Sequence, residues 1–143
     1  MFTALTMAQL SVGQTHCKQV PITLEMMVTF TRSLGDHQSF HQDPEMAKQS
    51  YFGRMVSPGM LTASLIGLVL GTEFPGLGTI YVTQELKFVK PVYVGDVLTI
   101  SLTVREIVPQ RQRVRLDTTV SNQEGQIVLT GQAEIIPPGS TPA

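Results

Sequence analysis

Ser57-Pro58-Gly59-Met60-Leu61-Thr62-Ala63-Ser64-Leu65-Ile66-Gly67-Leu68-Val69-Leu70-Gly71 is the stretch whose reading decides the fold. Ser57 is an N-cap candidate, since a Ser oxygen accepts from backbone N–H groups that a helix leaves open at its start. Pro58 suits the first helical turn. The helix predicted from there to about Gly71 is apolar nearly all round, so it is expected as a buried central element. Its most apolar part, Met60 to Leu70, is too short to span a bilayer.

Downstream the chain changes character. Gly78 to Val89 carries β-branched and aromatic residues in partial alternation, and Pro91 to Asp96 breaks the run with a kink and a turn. Val97 to Val108 alternates well, with Leu98, Ile100, Leu102 and Val104 on one face. Pro109-Gln110 turns the chain into a strand from Arg111 to Ser121. Asn122 to Gly125 reads as a hairpin turn, and Gln126 to Ile136 as the last strand. The prediction is a long antiparallel meander packed on the apolar helix, an α+β architecture. Pro137 to Ala143 reads as a disordered tail after a single domain over 1–136.

Upstream, Thr15 to Val20 is a candidate first strand ended by Pro21. Thr23 is a plausible N-cap for a helix over Leu24 to Leu34, with Met27, Phe30 and Leu34 on one face. Asp43-Pro44-Glu45 starts a second, short helix to about Gln49.

Between these helices lies Gly35-Asp36-His37-Gln38-Ser39-Phe40-His41. Gly35 is suited to end the first helix. Asp36 and His41 are five residues apart, a spacing that separates them on a helix but lets both turn into one pocket from a loop. A carboxylate and a neutral imidazole can hold one water and divide its proton work. The residues alone favour a plain turn Asp and a packed or surface His over catalysis. At the start of the apolar helix, the Gly59 N–H can meet a carbonyl oxygen that gains negative charge. Gly59 can also serve only close packing.

The bulk numbers limit the function classes. The 143 residues fit one domain. Charged residues are only 15 %, which suggests an apolar area covered by a partner subunit. A net charge of −1 gives no case for nucleic acid or an anionic membrane. Cys17 is the single cysteine, so no internal disulfide is expected, and a reducing, cytoplasmic setting fits. Met1 to Leu10 lacks the pattern of a signal peptide. Asp36, His37 and His41 have no further ligand at useful spacing, so no metal is expected.

With these residues in view, the chain resembles the MaoC-like hydratases, above all the (R)-specific enoyl-CoA hydratases that supply monomers for polyhydroxyalkanoate. The resemblance covers roughly Gly13 to Ile136 and rests on the Asp-x4-His loop, the Gly-Met-Leu helix start, and Pro91-Val92-Tyr93-Val94-Gly95-Asp96. It implies a hot-dog fold, a long helix wrapped by a curved antiparallel sheet, and a homodimer joined edge to edge. It implies reversible hydration of a trans-2-enoyl thioester, on coenzyme A or acyl carrier protein, with no cofactor. Asp36 and His41 stand at the family's catalytic positions, and Gly59 at the glycine whose N–H polarises the thioester carbonyl. Three positions depart from the family motif: Gln38 replaces Asn, Ser39 replaces Pro, and Pro58 replaces His. Met55, Met60, Leu61 and Leu65 are candidates to line an acyl tunnel, with ordinary core as the competing reading. Lys87, Lys90, Arg111 and Arg113 are available to CoA phosphates or belong to solvated strand faces.

Two rival functions are open to such a fold. A hot-dog thioesterase commonly uses a carboxylate from the central helix, but Pro58 to Gly71 contains no Asp or Glu, and Glu73 lies past its end. A non-catalytic acyl-binding partner subunit would fit the altered Gln38, Ser39 and Pro58, but not the retained Asp36 and His41.

Overall fold

A computed structural model describes residues 2–37, 43–49 and 53–141. Strand β1 (Thr15–Pro21) is followed by helix α1 (Leu24–Ser33), helix α2 (Pro44–Lys48) and helix α3 (Gly59–Thr72). Strands β2 (Ile80–Phe88), β3 (Val97–Val108), β4 (Arg113–Ser121) and β5 (Ile127–Ile136) complete the chain. They form one antiparallel sheet in the order β1-β3-β4-β5-β2, so the architecture is α+β.

The core lies between α3 and the inner face of this sheet. Leu98, Ile100, Leu102 and Val104 of β3 are all at 0 % exposure, as their alternation predicts. Val114, Leu116 and Val120 of β4, with Leu129, Ala133 and Ile135 of β5, extend the same layer. From α3 come Leu61, Ala63, Leu65, Ile66, Val69 and Leu70. Each buried Leu, Ile or Val side chain among them contributes roughly 1.5–3 kcal/mol by leaving water, which explains why a helix with no acidic or basic residue forms here.

The meander differs from the sequence reading in one respect. β3, β4 and β5 are consecutive neighbours, but β2 pairs with β5 rather than β3. Alternation identifies strands without naming their partners. The kinked link from Val89 to Asp96 is too long for a tight hairpin, and it carries the chain across the start of α3. There Val56 bridges Tyr93, and the Ser57 N–H donates to Val92 O at 2.7 Å. Asp96 holds the link's turn by accepting from the Tyr93 N–H at 2.9 Å and from Gln123 Nε2 at 3.0 Å.

This crossing also changes the cap of α3. Pro58, with φ −55° and ψ 136°, is the N-cap, and no side chain caps the helix. Ser57 is therefore not the cap. Its backbone is spent on Val92, and its hydroxyl donates to Pro58 O at 3.2 Å. The two other predicted caps stand: Thr23 accepts from Met26 N at 3.1 Å and Asp43 from Glu45 N at 2.9 Å. α1 stops at Ser33, so Leu34 is a cap residue, 73 % exposed, and leaves the apolar stripe that Met27 and Phe30 keep. The assigned tail also begins in contact with the domain. Pro137 and Pro138 are buried, and Ser140 Oγ donates to Pro137 O at 2.8 Å.

Burial of α3 is one-sided within a single chain. Met60 is 57 % and Leu68 44 % exposed, one and two turns apart with exposed Ser64 between them. Beside them Tyr81 and Val82 of the edge strand β2 are also exposed.

Candidate active site

The end of α1 sets Asp36. Gly35 takes φ +89°, a conformation that disfavours any side chain, and turns the chain away from the helix. The Gly35 N–H donates to Arg32 O at 3.0 Å and the Asp36 N–H to Thr31 O at 3.0 Å. These two bonds are the Schellman pattern that closes a helix. Thr31, whose carbonyl anchors Asp36, is itself buried. The backbone of Asp36 is thus fixed two residues beyond the helix cap, and Asp36 is half-buried. His41, with Gln38 and Ser39, lies outside the described residues.

Gly59 opens α3 as its first residue, so its N–H has no acceptor within the helix. It lines a cavity of about 380 Å³ whose walls are mainly apolar: Val56, Phe88, Val92, Val128 and Leu129, with Thr62 from the next turn of α3. A Cβ built on Gly59 would stand 2.8 Å from Phe88 Cε1, so glycine lets the Phe88 ring lie against the helix start. Lys90, exposed, is at the same cavity. The helix start supplies partial positive charge to this mainly apolar space.

The four proposed lining residues fall elsewhere, three on other faces of α3 and Met55 ahead of the helix. Gly59 and Thr62, three apart, share the cavity face. Leu61 and Leu65 are 5 % and 6 % exposed in the core, and Leu61 also edges a hollow against α1. Met60 borders a separate hollow with Tyr81 and Leu86, and half-buried Met55 packs on the core. Rotation of about 100° per residue distributes neighbours over different faces. The sequence signal that separates Thr62 from them is a hydroxyl on an otherwise apolar helix face, three residues after a glycine at the helix start.

At the far end of α3, Glu73 accepts from Lys18 and lies 3.0 Å from His16 Nε2. The Lys18 hydrogen bond, then that of His16, holds the Glu73 carboxyl below its usual range. His16 also stacks on Phe74 at 5.5 Å. On β2, burial pushes the Tyr81 phenol up to about 12, and its hydroxyl donates to Gln84 Oε1. Among the described residues, no three or more His, Cys, Asp or Glu side chains could hold a metal ion. Among those residues, no helix is long and apolar enough to cross a membrane.

Residues 8–126 match the model of the MaoC-like domain. The chain belongs to the MaoC-like family. A 3-hydroxybutyryl-CoA dehydratase of Methylorubrum extorquens is 37 % identical over 124 residues, 87 % of this chain and 78 % of the relative. An (R)-specific enoyl-CoA hydratase of Rhodospirillum rubrum is 39 % identical over 103 residues, 72 % of this chain and 71 % of the relative. Among solved structures, the unliganded R-hydratase PhaJ1 of Pseudomonas aeruginosa superposes with a TM-score of 0.90 at 37 % identity, covering 96 % of this chain and 88 % of the other. The (R)-hydratase of Aeromonas caviae involved in polyhydroxyalkanoate biosynthesis gives 0.85 at 33 % identity, covering 90 % and 98 %. The α3 helix and its five-stranded sheet are thus the hot-dog fold of MaoC-like enzymes, the fold expected from the sequence.

Proposed function

We propose that this MaoC-like chain catalyses the reversible hydration of a trans-2-enoyl-CoA to the (R)-3-hydroxyacyl-CoA. The observation that carries the reading is the open Gly59 N–H at the head of an apolar helix, facing an apolar cavity in a chain related to named hydratases and dehydratases. Asp36 and His41 hold the water. Its oxygen bonds to C3 while one of the pair takes the water proton. The C2–C3 π pair moves toward C2 and the thioester carbonyl oxygen, and a proton returned to C2 completes the addition. Gly59 stabilises the carbonyl oxygen as charge builds, an effect worth roughly 3 kcal/mol for one such donor. Pro58, in place of the family His, leaves that N–H available because proline precedes the helix as its cap.

Lys90 at the cavity supports CoA as the carrier, since its ammonium suits a phosphate. The exposed Met60 and Leu68 of α3 and Ile80, Tyr81 and Val82 of the edge strand β2 support a homodimer that covers them. The lone Cys17, exposed beside Ser101, fits the cytoplasm.

The deciding experiment follows the enoyl-thioester absorbance on adding crotonyl-CoA and then longer enoyl-CoAs. Loss of absorbance without release of free thiol is the expected result. Free thiol would point to thioester hydrolysis, and no change at any chain length would sink the hydratase reading. Light scattering tests the assembly: wild type should run as a dimer, and Val82→Asp should shift it toward monomer.

A further inference from the structure

Thr62 is 2 % exposed, and its Oγ1 has no hydrogen-bond partner among the described residues. Helical hydroxyls ordinarily escape that cost by bonding the carbonyl one turn back. This chain does so repeatedly: Thr31 donates to Met27 O at 3.0 Å, Ser64 to Met60 O at 2.6 Å and Thr72 to Leu68 O at 2.6 Å. Thr62, in the first turn of α3 with the cap residue Pro58 one turn back, does not. Its place is on the wall of the Gly59 cavity. The Cα–Cβ bond of a helical residue tilts toward the N-terminus, so the Thr62 side chain leans over the turn that Gly59 begins. The other hydroxyl at this cavity, that of Ser57, is already engaged with Pro58 O. The Gly59 N–H thus lies at an apolar space whose wall also includes Thr62, with the unpartnered Thr62 Oγ1 shielded from water.

We propose that the Thr62 hydroxyl is a second hydrogen-bond donor to the thioester carbonyl oxygen, beside the Gly59 N–H. This rests on the enoyl-thioester reading above and adds a catalytic residue to it. The oxygen gains charge as water adds at C3, and both donors strengthen with it. The hydroxyl's loss of water has already been met on folding.

The test compares wild type with Thr62→Val, which keeps the shape and removes the hydroxyl, and with Thr62→Ser, which keeps the hydroxyl. Isotope-edited infrared spectra are taken of bound butyryl-CoA labelled at the thioester carbonyl, a saturated probe that cannot be hydrated. In wild type the carbonyl band should lie below its position in water. Thr62→Val should move it part of the way back, and Thr62→Ser should leave it in place. In crotonyl-CoA hydration, Thr62→Val should lower kcat about 10–100-fold with a smaller change in KM, and Thr62→Ser should stay within about threefold. The melting temperature of Thr62→Val should equal or exceed that of wild type, because an unpaired buried hydroxyl has been removed. A carbonyl band and kcat unchanged in Thr62→Val overturn the proposal, as does a wild type that binds no butyryl-CoA. A wild type that hydrates no enoyl-CoA, while the band still responds to Thr62→Val, overturns the hydratase reading and upholds the donor.

Discussion

The two ends of α3 are built on opposite plans. At its C-terminal end Glu73 is saturated, with Lys18 and His16 both on its carboxylate and His16 stacked on Phe74. A carboxylate there faces the negative end of the helix dipole, and the two β1 side chains offset that conflict. At the N-terminal end the donors are left open. No side chain caps the helix, the Gly59 N–H has no intrahelical acceptor, and the Thr62 hydroxyl has no described partner. One end of the helix is tied to the sheet; the other leaves hydrogen-bonding capacity unused among the described residues, which is the end proposed to meet substrate.

The contrast can be broken most severely at the pair proposed to hold the water. Asp36→Asn and His41→Ala should each lower kcat/KM for crotonyl-CoA by about 10²–10⁴-fold, with circular dichroism unchanged. A loss of under tenfold from both would remove them from the chemistry.

A sharper cut isolates the helix-start donor. Gly59→Pro deletes the N–H, and Pro58 already has the extended backbone that a following proline demands. Gly59→Ala retains the N–H but places the same Cβ against Phe88. Steady-state kinetics should show Gly59→Pro about 10²–10³-fold below Gly59→Ala in kcat. Equal rates would show that only space at Gly59 matters.

The smallest effect belongs to the saturated end. Glu73→Gln should leave kcat unchanged and lower the melting temperature by a few degrees near neutral pH, in line with about 0.5–1 kcal/mol for a partly exposed ion-pair cluster. The folded Glu73 carboxyl is held below its ordinary 4.5, so the cluster stabilises above that pH. Its contribution is lost as pH falls through the lower folded value. Thermal melts of the two proteins should therefore converge as the pH falls below that folded value. A difference that persisted there would assign it to packing rather than charge.

The sequence reading succeeded where the deciding forces were local. Thr23 and Asp43 cap their helices because the cap bond spans only two or three residues. Leu98, Ile100, Leu102 and Val104 share a buried face because strand geometry alternates side chains whatever the partner strand. It failed where distant segments compete. Ser57 lost the cap to Pro58 because Val92, far along the chain, claims its backbone N–H. β2 joined β5 instead of β3 because pairing depends on how the link from Val89 to Asp96 crosses α3.

The candidate site divides along the same line. The Asp36 and His41 spacing and the glycine at the helix start are legible in the sequence and point to the MaoC-like family, and the missing acid on the apolar helix counts against thioester hydrolysis. Met55, Met60, Leu61 and Leu65 stand out in the sequence only by apolarity, a property that α3 shows on nearly every face. Thr62 does not stand out, because a hydroxyl in sequence carries no sign of whether it will find a partner. Sequence by itself determined the element types, the family and the Asp–His spacing, because periodicity, capping and motif spacing act over short reach. Tertiary structure alone decided which face of α3 meets the cavity and which of its polar groups stay unpaired, because both depend on what the sheet and the crossing link bring against it.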